Sequence, residues 1–158
     1  MHLIYDDYVR DEYLDMNNHM GVNSYYIIFN KASSKFVRSL GFRVGEEGES
    51  LTLFTLESHL TYLKEIRKGE KFKIYMRVLE YDEKRIRFFS EMYNENDDIL
   101  ATCESLVIGV DINTRKSTTF PDKIMASLKT SFESTEKEPW PKQAGKGIAL
   151  TKRSKTAQ

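Results

Sequence analysis

Cysteine is almost missing from this chain, and its scarcity sets the first limit. A single residue, Cys103, rules out an intrachain disulfide and fits a reducing compartment. Histidine is scarce too. The three, at positions 2, 19 and 59, stand in no HxxxH arrangement and no CxxC accompanies them, so neither a metal site nor a cofactor is expected. Net charge is absent: 24 Lys and Arg balance 24 Asp and Glu, which argues against a nucleic-acid partner. No apolar run approaches the ~18 residues of a membrane span, and the opening Met-His-Leu-Ile-Tyr-Asp-Asp-Tyr lacks the basic start and apolar stretch of a signal peptide. The expectation is a cytoplasmic protein with no membrane partner. There is no G-x-S-x-G elbow, P-loop or GxGxxG, so serine-hydrolase, nucleotide-hydrolase and Rossmann readings have no support.

What is present describes one soluble domain. Its 158 residues suffice for a substantial core, and nine Phe with nine Tyr give it a heavy aromatic load. Charge is unevenly spread along the chain. Every acidic residue lies at or before Glu138, whereas Lys142, Lys146, Lys152, Arg153 and Lys155 follow it. An acidic body thus precedes a basic tail.

Periodicity divides the body into elements. Leu3 to Arg10 reads as a short strand. From Val22 to Leu40, the residues Val22, Tyr25, Tyr26, Phe29, Ala32, Phe36, Val37 and Leu40 follow the 3.6-residue period, and Gly41 is placed to stop the helix. Leu51 to Leu63 is long for a strand and must bend or bulge. Phe72, Ile74, Met76 and Val78 alternate with polar or aromatic residues, as do Ile86, Phe88 and Met92. Turns at 81–84 and 94–98 make two hairpins, with Ile99 to Val110 as the last strand. One long helix and a run of antiparallel strands place the helix across the concave face of the sheet, an α+β arrangement. A shorter helix is expected from Asp122 to about Phe132, with Pro121 at its start. The remaining chain lacks periodicity and reads as extended and mobile, with Trp140 as the residue able to dock it.

Two constellations carry chemistry. Asp15-Met-Asn-Asn18-His19-Met20-Gly21-Val22 sets a carboxylate and an imidazole four residues apart, directly before the long helix. The first amides of a helix have no intrahelical partner and favour negative charge, so Asp15 could serve there as base or nucleophile with an oxyanion held beside it. The plainer role is an N-cap, for which Asn18 or Asn23 is better placed than Asp15. In the long strand, Glu57 and His59 share one face, among Phe54, Leu56, Leu60 and Tyr62. Such polar groups need either water or a site. Lys64, Arg67 and Lys68 in one turn, and Lys84 and Arg85 in another, are local positive charge able to meet phosphates.

These motifs resemble a known family. Tyr8-Val-Arg, Asp15-x-x-Asn18-His19-Met20, Tyr25, the helix ending in Leu40-Gly41, and Tyr62-Leu-Lys-Glu-Ile-Arg-Lys-Gly69-Glu70 are similar to the hotdog-fold acyl-CoA thioesterases of the 4-hydroxybenzoyl-CoA type. Asn18 stands where their signature has glycine, and Val22 where it has asparagine. More narrowly, Leu56-Glu57-Ser58-His59-Leu60-Thr-Tyr-Leu63-Lys-Glu65 and Pro139-Trp-Pro-x-x-Ala144-Gly145-Lys resemble the betainyl-CoA thioesterases.

The resemblance implies a hotdog thioesterase domain over 1–133 and an extended basic tail over 134–158. It implies an acyl-CoA substrate, Asp15 as base or nucleophile, and Asn18, His19 and the Val22 amide around the carbonyl. Tyr25, Tyr26, Glu57, His59 and Tyr62 would hold the acyl group, with Glu57 and the rings on a trimethylammonium. Lys64, Arg67, Lys68, Lys84 and Arg85 would meet the CoA phosphates, in a homodimer or homotetramer. A thioesterase for another short or aromatic acyl-CoA, or a non-catalytic acyl-CoA-binding module, are the alternatives.

Overall fold

The long helix starts where the periodicity predicts and ends one residue early. In the computed structural model, which describes residues 1–150, helix α1 spans Val22–Ser39. Its C-terminus closes as a glycine stop: Gly41 takes φ 98°, and the N–H groups of Gly41 and Phe42 donate to the carbonyls of Arg38 and Val37. The buried stripe is Tyr25, Ile28, Phe29, Ala32 and Phe36, whereas Val22 and Tyr26 are exposed. Ile28, outside the expected stripe, is wholly buried.

The strands are β1 (His2–Tyr8), β2 (Leu51–Tyr62), β3 (Lys71–Tyr81), β4 (Arg85–Asn94), β5 (Ile99–Asp111) and the two-residue β6 (Lys116–Ser117). They form one antiparallel sheet in the order β1-β3-β4-β5-β2, with β6 on β5. The chain therefore crosses from β2 at one edge to β3 near the other, while β3-β4-β5 run as successive hairpins. Asp82 fixes the first hairpin by accepting from the N–H groups of Lys84 and Arg85 at 2.8 and 2.7 Å.

The inner face of the sheet carries Phe72, Ile74, Met76, Ile86, Phe88 and Met92, all buried against α1. Each such side chain removed from water contributes about 1.5–3 kcal/mol. Phe36 of α1 meets Phe88 edge-on at 5.6 Å between centroids. Helix α2 (Asp122–Thr135) runs three residues beyond its expected end, past the boundary drawn at 134, and adds Ile124 and Leu128 to the same core.

Strand β2 bulges as its length requires. Thr55 pairs with Val107 and Glu57 with Leu106, leaving Leu56 as the extra residue. Opposed residues share a face, so Leu53 and Thr55 before the bulge, and Leu60 and Tyr62 after it, face the core side. Phe54, Glu57 and His59 face outward.

After α2 the chain does not trail into solvent. It turns around the sheet and crosses the outer face as a strap. Arg77, only 4% exposed, holds the turn: its guanidinium donates to the carbonyl of Pro139 at 2.9 Å, lies 3.4 Å from Glu138, and reaches the carbonyl of Thr135. Farther along, Trp140 stacks 5.7 Å from the Arg87 guanidinium, and the N–H of Gly145 donates to Glu104 at 2.7 Å. The basic residues Lys152, Arg153 and Lys155 lie outside the described residues.

Candidate active site at the start of the long helix

The reactive loop is built by its own backbone. Asp15 N–H donates to the His19 carbonyl at 2.9 Å, and Asn18 N–H returns to the Asp15 carbonyl at 3.1 Å. Closing so tight a loop puts Asn18 in the left-handed region at φ 59°. Asparagine tolerates that conformation better than most side chains, which explains how it occupies a glycine position. The loop is then anchored: Met20 N–H donates to Ile66 at 2.9 Å, Gly21 N–H to Tyr13 at 2.8 Å, and Tyr13, Met20 and Ile66 are buried.

Within this loop the Asp15 carboxylate is oriented but accessible. Its Oδ1 accepts from the N–H of Asn17 at 2.7 Å and, more weakly, from that of His19 at 3.4 Å. Among the described residues Oδ2 has no protein donor, leaving one oxygen for a reactant. Gly21, not Asn18 or Asn23, is the N-cap of α1, and no side chain caps the helix start. The first-turn N–H groups, beginning with Val22, are thus open to an incoming anion. Gly21 packs against Asp15: a Cβ at this position would lie 3.4 Å from the Asp15 Cβ, an ordinary contact. The carboxylate sits directly against the helix start.

Two tyrosines wall the corner. Tyr25, 5% exposed, meets Tyr62 of β2 edge-on at 5.4 Å. Burial, followed by the nearby Tyr62 and Glu65, pushes the Tyr25 hydroxyl up to about 12. It remains a neutral hydrogen-bond donor at any ordinary pH. Tyr26, by contrast, points from the exposed side of α1. His19 Nε2 lies 3.3 Å from Glu65, which also pairs with Arg67 at 2.9 Å.

Asp15, Asn18, His19, Val22, Tyr25 and Tyr62 therefore converge at one corner. Glu57 and His59 do not. Within one chain they lie on the opposite face of the sheet from Tyr25 and Tyr62, bordering a cavity of about 610 Å³ with Arg85, Arg87 and Glu104. Strand alternation separates odd from even residues after the bulge, so Glu57 cannot complete a cage with these rings in the same chain. The acid beside them is Glu65, which closes the same motif just past the strand. Its spacing from Tyr62, one short turn, was the available signal.

The basic residues also divide. Lys64, Arg67 and Lys68 flank the reactive loop, paired with Asp98, Glu65 and Asp11. Lys84 and Arg85 lie at the far end of the strands, where Arg85 opposes Ile108, whereas Lys64 donates its N–H to Leu100. Eight residues of extended chain separate those two levels by about 26 Å. One phosphate group cannot touch both clusters of the same chain.

A long helix wrapped by an antiparallel sheet, with a carboxylate lodged against the helix start, defines the hotdog thioester hydrolases. The comparisons agree. The family model of the thioesterase-like superfamily matches residues 9–128. A Staphylococcus aureus protein solved in complex with CoA is 33% identical, with a TM-score of 0.89 over 95% of this chain and 96% of that one. The betainyl-CoA thioesterase of Pseudomonas aeruginosa is 26% identical over 92% of this chain and 93% of its own length. The L-carnitine dehydrogenase/betainyl-CoA thioesterase of Rhizobium meliloti is 32% identical over 90% of this chain, which spans only 29% of that longer protein. The chain belongs to the thioesterase-like superfamily.

Proposed function

We propose that this chain hydrolyses betainyl-CoA to glycine betaine and CoA. The observation that carries the chemistry is the Asp15 carboxylate, with one oxygen unengaged, held against a helix start that no side chain caps. Asp15 either takes a proton from water as it attacks the thioester carbonyl or attacks that carbon itself. In both cases the developing oxyanion rests on the first-turn amides at Val22, the carbon–sulfur bond breaks, and the thiolate leaves as CoA. After direct attack, water then cleaves the mixed anhydride, releasing the acid and restoring the Asp15 carboxylate. Asn18 shapes the loop and His19 supports it from the Glu65 side.

The acyl group is assigned from the full-length similarity to a betainyl-CoA thioesterase and from the aromatic corner. A trimethylammonium donates no hydrogen bond and is held by ring faces and diffuse negative charge. Tyr25 and Tyr62 supply rings, Tyr26 lies on the neighbouring exposed side of α1, and Glu65 supplies the charge. Glu65→Gln is expected to lower kcat/KM for betainyl-CoA about tenfold and to spare 3,3-dimethylbutanoyl-CoA, its uncharged isostere, as followed by thiol release. Equal losses on both would overturn the cation assignment. One observation favours a second reading, a neutral short or aromatic acyl-CoA: Glu65 is already engaged by Arg67 and His19. The same pair of substrates decides between them.

The site works in a homo-oligomer on this reading. Strand β2 presents twelve residues with an outer edge that nothing pairs among the described residues, and Phe54, Leu56 and Tyr62 on it are exposed. Long apolar edges of this kind are normally covered. A second copy is also the only route by which Glu57, His59, Lys84 or Arg85 reaches this corner. Sedimentation of the full chain is expected to give at least twice the mass of one chain, and a monomer that retains full activity would refute the shared site.

A further inference from the structure

The strap creates a cavity of about 690 Å³ on the outer face of the sheet, away from the hydrolytic corner. That volume is in the range of small-molecule sites. Three aromatic rings stand among its charged and aliphatic walls. Tyr75 of β3 and Tyr93 of β4 stand perpendicular, at 88° and 5.6 Å between centroids, and Trp140 of the strap adds a third ring. Glu91 lies directly across the strands from Tyr75 and accepts a hydrogen bond from the Tyr93 hydroxyl at 2.6 Å. Burial and this carboxylate push the Tyr93 phenol well up, so it stays neutral.

The charges around the cavity fall into two groups. Arg77 and the chain's N-terminal ammonium are both engaged by Glu138. Glu91 and Asp97 have no cationic partner within ion-pairing distance among the described residues, and neither Lys142, which also borders the cavity, nor Lys73, opposite Tyr93 on the neighbouring strand, pairs with them. Glu91 is thus a half-buried carboxylate bonded only to a neutral phenol, beside two perpendicular rings, and a local negative charge that no cation pairs among the described residues. Ring faces and diffuse charge of this kind suit a cation with methyl groups and no donors.

We propose that this cavity binds a small quaternary ammonium ion, with Tyr75, Tyr93 and Trp140 against its methyl groups and Glu91 supplying the countercharge. The site is separate from Asp15 and does not depend on which acyl-CoA is hydrolysed. An occupant carrying the same head group as the proposed product would act on the enzyme from outside its reaction centre.

Trp140 is the chain's single tryptophan, so its emission reads this cavity directly. Titrating the full chain with tetramethylammonium chloride, and separately with glycine betaine, is expected to give a saturable change in that emission in the millimolar range. Sodium chloride and 3,3-dimethylbutanoate are expected to give none. Glu91→Gln and Tyr75→Leu, each checked for folding by circular dichroism, are expected to weaken binding about tenfold. Glu65→Gln, on the other face, is expected to leave the titration unchanged. A response no different from sodium chloride would overturn the proposal. So would unchanged affinity in both outer-face variants, or loss of the response in Glu65→Gln, which would move the ion to the hydrolytic corner.

Discussion

Asp15→Asn is expected to lower turnover of every acyl-CoA this chain accepts by about a thousandfold. The substitution is nearly isosteric. Its side-chain oxygen still accepts from the N–H groups of Asn17 and His19, which hold the loop at 2.7 and 3.4 Å in the native chain. Met20 and Gly21 still tie the loop to Ile66 and Tyr13. What disappears is the negative charge, and with it the capacity to accept a proton or to form a bond to carbon. The melting temperature should therefore stay within about 1–2 °C of the native value, since the substitution is exposed and its bonds are conserved. Thiol release measured beside a thermal melt checks both halves. Hydrolysis at the native rate would remove Asp15 from the chemistry and leave the helix start as a structural feature only.

Arg77→Ala is expected to be the most damaging single change to stability among charged residues. The side chain is 4% exposed and joins the end of α2, the strap and the sheet through Thr135, Glu138 and Pro139. Truncation leaves two carbonyls without their donor and Glu138 short of a cation. Glu138 is itself 40% exposed and keeps the N-terminal ammonium, so the loss is that of the guanidinium's charge-assisted hydrogen bonds, about 1.5–3 kcal/mol. For a domain of this size that corresponds to a fall in melting temperature of about 3–12 °C. Arg77→Lys is expected to recover little, because one ammonium cannot serve carbonyls that a planar guanidinium reaches together. Trp140 emission should shift in the Ala variant at temperatures where the sheet remains folded, as the strap comes away first. A variant melting within a degree of the native chain would mean that the strap is held elsewhere, by the Trp140–Arg87 and Gly145–Glu104 contacts.

Much of this architecture was legible because it is periodic. The 3.6-residue stripe located α1 and the two-residue alternation located β3 and β4, since burial of one face imposes both patterns. Asp15 was legible for a different reason: a carboxylate just ahead of a strong helix has few structural roles. Long-range pairing leaves no periodic trace, so the placement of β2 at the far edge beside β5, and not beside β3, was not readable. The side of the sheet on which Glu57 stands was not readable for a related reason. Glu57 shares a motif with Tyr62, yet adjacency in a motif is not adjacency in space: within one chain the two residues face opposite ways. Glu65 lies beyond the strand, where alternation no longer says which way a side chain points. The strap has no pattern at all. Its position follows from Arg77, one basic residue in a strand rich in them, whose burial only tertiary structure reveals.

The extra residue at Leu56 makes β2 two half-strands of opposite phase. Phe54 and Glu57, three positions apart, belong to the same face, whereas a regular ribbon would separate them. A single continuous alternation over Leu51–Tyr62 therefore puts one half of the strand on the wrong side. The same slip gives the strand a local hinge. An edge that bends at its middle can follow a curved neighbour along its whole length, where a straight one would touch it only in part.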